Sequence, residues 1–273
     1  MEQKEQAGLN FMEKTKKLIA EKKKEARERA EKSSTDNSRI KKVPKKKAVN
    51  KIKKFIYRNS LIPSRYRDKT LNNFKLDNLP QNDIEVYKDI RKYSLNPAEK
   101  LKEGKGLIFS GRRGNGKTHL TVGVAKKFIE YFANQEYPRD EKYKYGIISR
   151  SSNWTPVYFV NVNRTLLKIQ ENFDKKPDEK EIKRHWISDK IRSSKLVIFD
   201  DIFSENPTDW RLSVVHGWLN DRYDFKKTTL FTTNVDLKSF LKDSEDERLQ
   251  RMVSRIREMC YPHIYQLKGE DKR

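Results

Sequence analysis

The sequence predicts an α/β fold: a five-stranded parallel sheet between helices, preceded by a basic helical extension. Three observations carry this. From about residue 55 onward, strand-like and helix-like segments alternate, the pattern of repeated βα units. The strand-like runs are continuously apolar, as strands covered on both faces must be. Ahead of residue 55 the chain is rich in Lys, Arg and Glu and poor in apolar residues.

In chain order, residues 1–54 hold 19 Lys or Arg against 8 Asp or Glu, so they carry +11 of the chain's +23. The run EKTKKLIAEKKKEARERAEK has good helix formers with opposite charges three or four apart. Its apolar residues and those just before it, Leu9, Phe11, Met12, Leu18 and Ile19, cluster towards the front. This fits a solvated helix, or an arm whose apolar front docks a partner protein. SSTDNS (Ser33–Ser38) and KKVPKKK (Lys41–Lys47) read as a flexible basic linker, so the expected domains are 1–54 and 55–273.

The strands follow. GLIFS (Gly106–Ser110) precedes a glycine loop and the helical run Thr118–Phe132, and VYFVNV (Val157–Val162) precedes the helical LLKIQENF (Leu166–Phe173). KLVIFDD (Lys195–Asp201) is the most apolar run, TTLFTTN (Thr228–Asn234) is β-branched, and HIYQL (His263–Leu267) reads as the last strand. Gln135–Trp154 reads as a polar, basic and aromatic insertion before the second strand. Glu247–Cys260 is a basic helix whose stripe of Leu249, Met252, Val253, Ile256 and Met259 belongs in the core.

Composition narrows the function. Hydrophobic residues make up 34% and charged residues 37%, so part of the chain lies outside a packed core. A charge of +23 favours a polyanionic partner, DNA or RNA above others. No apolar run is long enough to span a membrane, and the N-terminus lacks the apolar stretch of a secretory signal. Cys260 is the only cysteine, which excludes an intrachain disulfide and a Cys-based zinc site, and the four histidines show no metal-ligand spacing. The expected compartment is the cytoplasm.

The strongest motif is GRRGNGKT, Gly111–Thr118, which fits G-x-x-x-x-G-K-[ST] between a strand and a helix. A chance match in a chain of this length is on the order of one in a hundred. Gly111, Gly114 and Gly116 let the backbone curl so that amides face phosphate oxygens, with Arg112, Arg113, Asn115 and His119 in or beside the loop. Lys117 is placed to reach the β- and γ-phosphates of ATP, and Thr118 to put its hydroxyl on Mg²⁺. LVIFDD ends in two carboxylates where a parallel strand meets the ligand crevice. Asp200 is expected to hold the hydrated Mg²⁺, and Asp201 to orient or deprotonate the attacking water. Asn234 ends the strand TTLFTTN and could bond that water, although Asn is also a favoured turn and cap residue. Arg251, Arg255 and Arg257 form either a solvated face or include an arginine that completes a neighbouring subunit's site.

From about Ile62 to Arg273 the chain resembles the DnaC-like and IstB-like AAA+ ATPases, which include helicase loaders of the DnaC and DnaI type. The matching stretches are IPSRYRDKTLNNF (Ile62–Phe74), GKGLIFSGRRGNGKTHL from Gly104, LVIFDD, the TDW of Thr208–Trp210, NDRYDFKKTTLFTTN, RMVSRIREMC and the terminal GEDKR. The resemblance implies an ATP- and Mg²⁺-dependent AAA+ ATPase that assembles into a ring or spiral and delivers a hexameric replicative helicase to single-stranded DNA. It implies that Arg255 is the arginine finger, that Arg273 is the second sensor arginine, and that Ile62–Tyr66 lie near the adenine. It implies that Phe173, and also Thr208 and Trp210, contact single-stranded DNA, where aromatic faces stack bases. The arm lacks the cysteines of zinc-bearing loaders, so it must bind its partner without metal.

Two rivals stay open: a transposition helper with nearly the same core, and an adaptor that senses nucleotide without turning it over. Asp201, one methylene shorter than the Glu common in such ATPases, keeps the second alive. A small-molecule kinase fits poorly, because it needs neither a +23 surface nor the Asn234 and Arg255 elements.

Overall fold

The computed structural model describes residues 45–135, 155–171, 177–203, 208–237 and 246–271. The expected arm helix within 1–44, most of the 135–154 insertion, Phe173 and Arg273 lie outside them.

The first described helix, α1 (Lys45–Asn59), buries Ala48, Val49, Ile52 and Ile56, a stripe at helical spacing. The expected border at 54/55 therefore falls inside a helix, and residues 45–273 form one compact unit. The predicted flexible linker was wrong from Lys45 onward, because the lysines on the outer face hid the apolar stripe beneath them. Two further helices precede the sheet, α2 (Gln81–Tyr93) and α3 (Pro97–Glu103). Then come β1 (Leu107–Gly111), α4 (Lys117–Gln135), β2 (Val157–Asn161), α5 (Val162–Gln170), α6 (Pro177–Ser193) and β3 (Leu196–Asp200). The chain closes with α7 (Asp209–Asp224), β4 (Thr229–Thr232), α8 (Glu247–Cys260) and β5 (Ile264–Leu267).

The five strands are parallel, in the order β2-β3-β4-β1-β5. Alternate residues serve opposite faces, which is why the strand sequences are apolar throughout. Leu107, Phe109, Leu196 and Ile198 join a core with α1, α2 and α4, whereas Ile108, Val197 and Phe199 join another with α5, α7 and α8. β1 lies between β4 and β5, so the chain leaves it for the far edge and later returns on its other side. That reversal opens a crevice at the carboxyl ends of the strands.

The opposite end of the sheet is closed by Arg222, whose side chain is fully buried. Its guanidinium donates to the carbonyls of Ile191 (3.1 Å), Ser194 (2.5 Å), Lys195 (3.3 Å) and Thr228 (2.5 Å), and to Thr229 Oγ1 (3.1 Å). One side chain thus joins the end of α6 to the starts of β3 and β4. Burial lowers its pKa to about 9, which still leaves it charged at neutral pH. Arg222→Met is expected to lose about 3 kcal/mol or more, because it strands buried carbonyls without donors. Urea unfolding should show a lower midpoint, and Arg222→Lys should recover only part of the loss.

Candidate nucleotide-binding site

The glycine loop bridges β1 and α4 as predicted. Gly111, Gly114 and Gly116 take φ values of 136°, 84° and 95°, which L side chains rarely adopt. Gly116 also lacks room: a Cβ there would sit 2.6 Å from the ring of Phe74. Lys117 folds back over the loop and donates to the carbonyls of Gly111 (2.7 Å) and Arg112 (2.6 Å) and to Asn115 Oδ1 (3.2 Å). Asn115 donates in turn to the Leu267 carbonyl (3.1 Å), which ties the loop to β5.

Opposite the loop stands Asp200, buried at 4% exposure. Its Oδ1 accepts from the hydroxyls of Thr118 (2.8 Å) and Thr232 (2.9 Å), and its Oδ2 accepts from Asn161 Nδ2 (3.2 Å). Parallel register makes this possible, since Asn161 pairs with Asp200 across β2 and β3. Asp201 follows with φ 63°; its N–H donates to Thr232 Oγ1 (2.9 Å), and its Oδ1 accepts from Asn234 Nδ2 (2.5 Å). The carboxylates, the loop and the basic residues Arg65 and Lys69 line one cleft of about 450 Å³.

This donor set suits a nucleoside triphosphate with Mg²⁺. The glycine curve and the Lys117 ammonium match phosphate oxygens. Thr118 and Asp200 offer the few hard oxygens that Mg²⁺ takes when phosphates and waters complete its shell.

The remaining expected residues fall in different places. Arg113 and His119 line the cleft, whereas Arg112 is exposed and contributes its carbonyl to Lys117. The His119 ring meets Phe74 edge-on at 5.1 Å, and its Nε2 lies 2.8 Å from the Thr70 carbonyl. Arg255 does not line this cleft. It sits on α8 against α7, donating to Asn220 Oδ1 and to His216 Nε2 (3.2 Å), and it lies 5.4 Å from the centre of the Tyr223 ring. Of the other two arginines on that helix, Arg251 pairs with Glu247 at 2.6 Å and Arg257 is exposed. Thr208 caps α7, accepting from the Arg211 N–H (3.4 Å), and Trp210 is half-buried against the core of that face. Sequence reasoning missed Asn161, although it ends its strand just as Asn234 follows β4. It also missed Lys69 and Phe74 as cleft residues and Arg65 as a cation there, since nothing local distinguishes them.

His216 has a pKa lowered from 6.5, chiefly by burial and then by Arg255, Arg251 and Arg248. His263, which packs on Tyr93, is lowered too, by burial first and then by Lys100. The unfolded chain binds these protons near 6.5, while the folded chain resists them. Their contribution is therefore complete above pH 6.5 and is lost as pH falls below it. The urea midpoint is expected to drop between about pH 7 and pH 5.5, and His216→Gln should flatten that drop.

No protein-family model matches the chain, and no curated protein matches it in sequence. Solved structures do. The chain is 26% identical to the DnaC helicase loader, covering 76% of this chain and 100% of that one, with a TM-score of 0.53. The structure of DnaI matches with 19% identity, 78% and 95% coverage and a TM-score of 0.54. A replication initiator DnaA bound to AMPPCP and single-stranded DNA shares the fold at 14% identity, 77% and 52% coverage and a TM-score of 0.50. With its five-stranded parallel sheet and the glycine loop at the carboxyl end of β1, the chain is similar over most of its length to the DnaC helicase loader.

Proposed function

We propose that this protein is an ATPase that loads a replicative hexameric helicase onto single-stranded DNA. The observation that carries the proposal is the joining of Thr118, Asp200, Asp201 and Asn234 beside a glycine loop on a DnaC-like sheet.

In this reading the loop cradles the triphosphate, and Lys117 exchanges its own loop carbonyls for the β- and γ-phosphates. Mg²⁺, held by Thr118 and Asp200, would neutralise charge across those phosphates. Asp201 orients the attacking water and takes its proton, while Asn234 fixes the carboxylate. Arg255 lies away from its own cleft, so it acts on the ATP of a neighbouring copy in a homo-oligomer. His216 and Asn220 hold it in place. Phe173, Thr208 and Trp210 contact the DNA strand, Arg273 serves as the second sensor, and residues 1–44 bind the helicase. No described helix is long and apolar enough to cross a membrane. In this reading the assembly works in the cytoplasm.

The Asp201–Asn234 hydrogen bond supports a second reading, a nucleotide-sensing adaptor, because a short carboxylate already engaged reaches water less readily. An IstB-like transposition helper would share the same core.

Steady-state ATP hydrolysis with and without single-stranded DNA separates these readings. The wild type should turn over ATP and respond to the strand. Lys117→Ala, Asp201→Asn and Arg255→Ala should each lose about 10²-fold or more, with Arg255→Ala still binding ATP. A wild type that binds ATP but never hydrolyses it would establish the adaptor. In a pull-down, deletion of residues 1–44, which spares α1, should abolish helicase capture; undiminished capture would remove the arm's role.

A further inference from the structure

A second cleft, of about 650 Å³, lies between α1 and α4. Its floor is apolar, formed by Tyr57, Leu71 and Ile129. Its rim is cationic: Lys54 and Arg58, one turn apart on α1, face Arg67 and Lys127, all four exposed. Glu130 is the one acid among the lining residues, and it pairs with Lys53 at 2.6 Å and Lys127 at 3.5 Å. The Tyr57 hydroxyl is buried and, among the described residues, has no hydrogen-bond partner. A buried hydroxyl left unpaired is costly, and a ligand with a polar edge would satisfy it.

We infer that this groove takes a segment of single-stranded nucleic acid. Its phosphates lie along Lys54, Arg58, Arg67 and Lys127, and one base rests on the apolar floor with an edge at the Tyr57 hydroxyl. Cations around an apolar, aromatic floor are what a strand with a charged backbone and flat bases requires. The volume suits one such unit. The chain's own N-terminal segment is a poor occupant, because residues 1–44 hold 13 Lys or Arg against 8 Asp or Glu and would meet a rim of like charge.

The inference rests on the nucleic-acid part of the proposed function but uses another surface. Tyr57, Leu71 and Ile129 belong to the core on one face of the sheet, and Trp210 packs on the other. The groove also shares a wall with the nucleotide cleft: Arg65, Tyr66 and Lys69 line the cleft, while Arg67 and Leu71 line the groove. Lys126 holds that wall by donating to the carbonyls of Tyr66 (3.2 Å), Arg67 (2.5 Å) and Lys69 (2.6 Å).

The test uses the full chain and a labelled single-stranded oligonucleotide, read by fluorescence anisotropy over a range of salt. Arg58→Gln/Arg67→Gln should bind about tenfold more weakly, with a salt slope shallower by about 1.4, for two phosphate contacts at ~0.7 each. Binding of a fluorescent ATP analogue should be unchanged, which shows that the variant is folded. Ultraviolet crosslinking to the wild type should map to the Tyr57 peptide. Unchanged affinity and slope in the double variant would overturn the groove. If Trp210→Ala still weakened binding in that case, the strand contacts of the proposed function would survive. A wild type that bound no oligonucleotide would overturn both. A double variant that kept the strand but lost helicase capture would assign the groove to an acidic protein surface, and would also overturn the inference.

Discussion

The cleft end of the sheet depends on how β3 and β4 are aligned, and at the opposite end that alignment is held by the buried cation Arg222. Its hydrogen bonds go to carbonyl and hydroxyl oxygens from the end of α6, the start of β3 and the start of β4. Guanidinium suits the position because its donors are fixed in one plane and it remains charged where an amine would shed its proton. With the strand starts joined, the side chains at the strand ends face each other in a defined register. A slip of one residue would send Asp200 to the wrong face.

At the cleft end Asp200 plays the complementary part. A buried carboxylate needs compensation, and here hydroxyls from α4 and β4 and an amide from β2 supply it. Each donor comes from a different element, so the carboxylate records whether all of them are in place. Thr118 and Asp200 already share a hydrogen bond, so only modest rearrangement would present both oxygens to a divalent cation. Lys117 is likewise held in readiness by weaker neutral acceptors, which phosphate oxygens would replace with charge-assisted bonds.

The segment from Arg65 to Phe74 connects the two clefts. Phe74 packs on Gly116, Leu71 lies against Gly123, and Lys126 caps three of the segment's carbonyls. Residues along this short stretch therefore line two different clefts. Arg255 is set differently, against His216, Asn220 and Tyr223 on the face of α7.

Much of this was legible in the residues. Strand runs such as LVIFD and the G-x-x-x-x-G-K-T loop have local signatures, because backbone curvature and two-sided burial constrain sequence directly. They sufficed to predict the parallel sheet and the place of the glycine loop between β1 and α4. The start of the folded unit was misplaced, since α1 shows solvent so many lysines that its buried stripe of Val49, Ile52 and Ile56 was obscured. Asn161, Lys69, Phe74 and Arg222 carry no such signature. Their roles come from partners between 6 and 57 residues away, and only the packing of distant elements decides which polar group meets which. The sequence by itself determined the strands and the curve of the glycine loop, because those depend on neighbours along the chain. The tertiary structure alone decided the donors around Asp200, the setting of Arg255 and the basic groove, because those depend on neighbours in space.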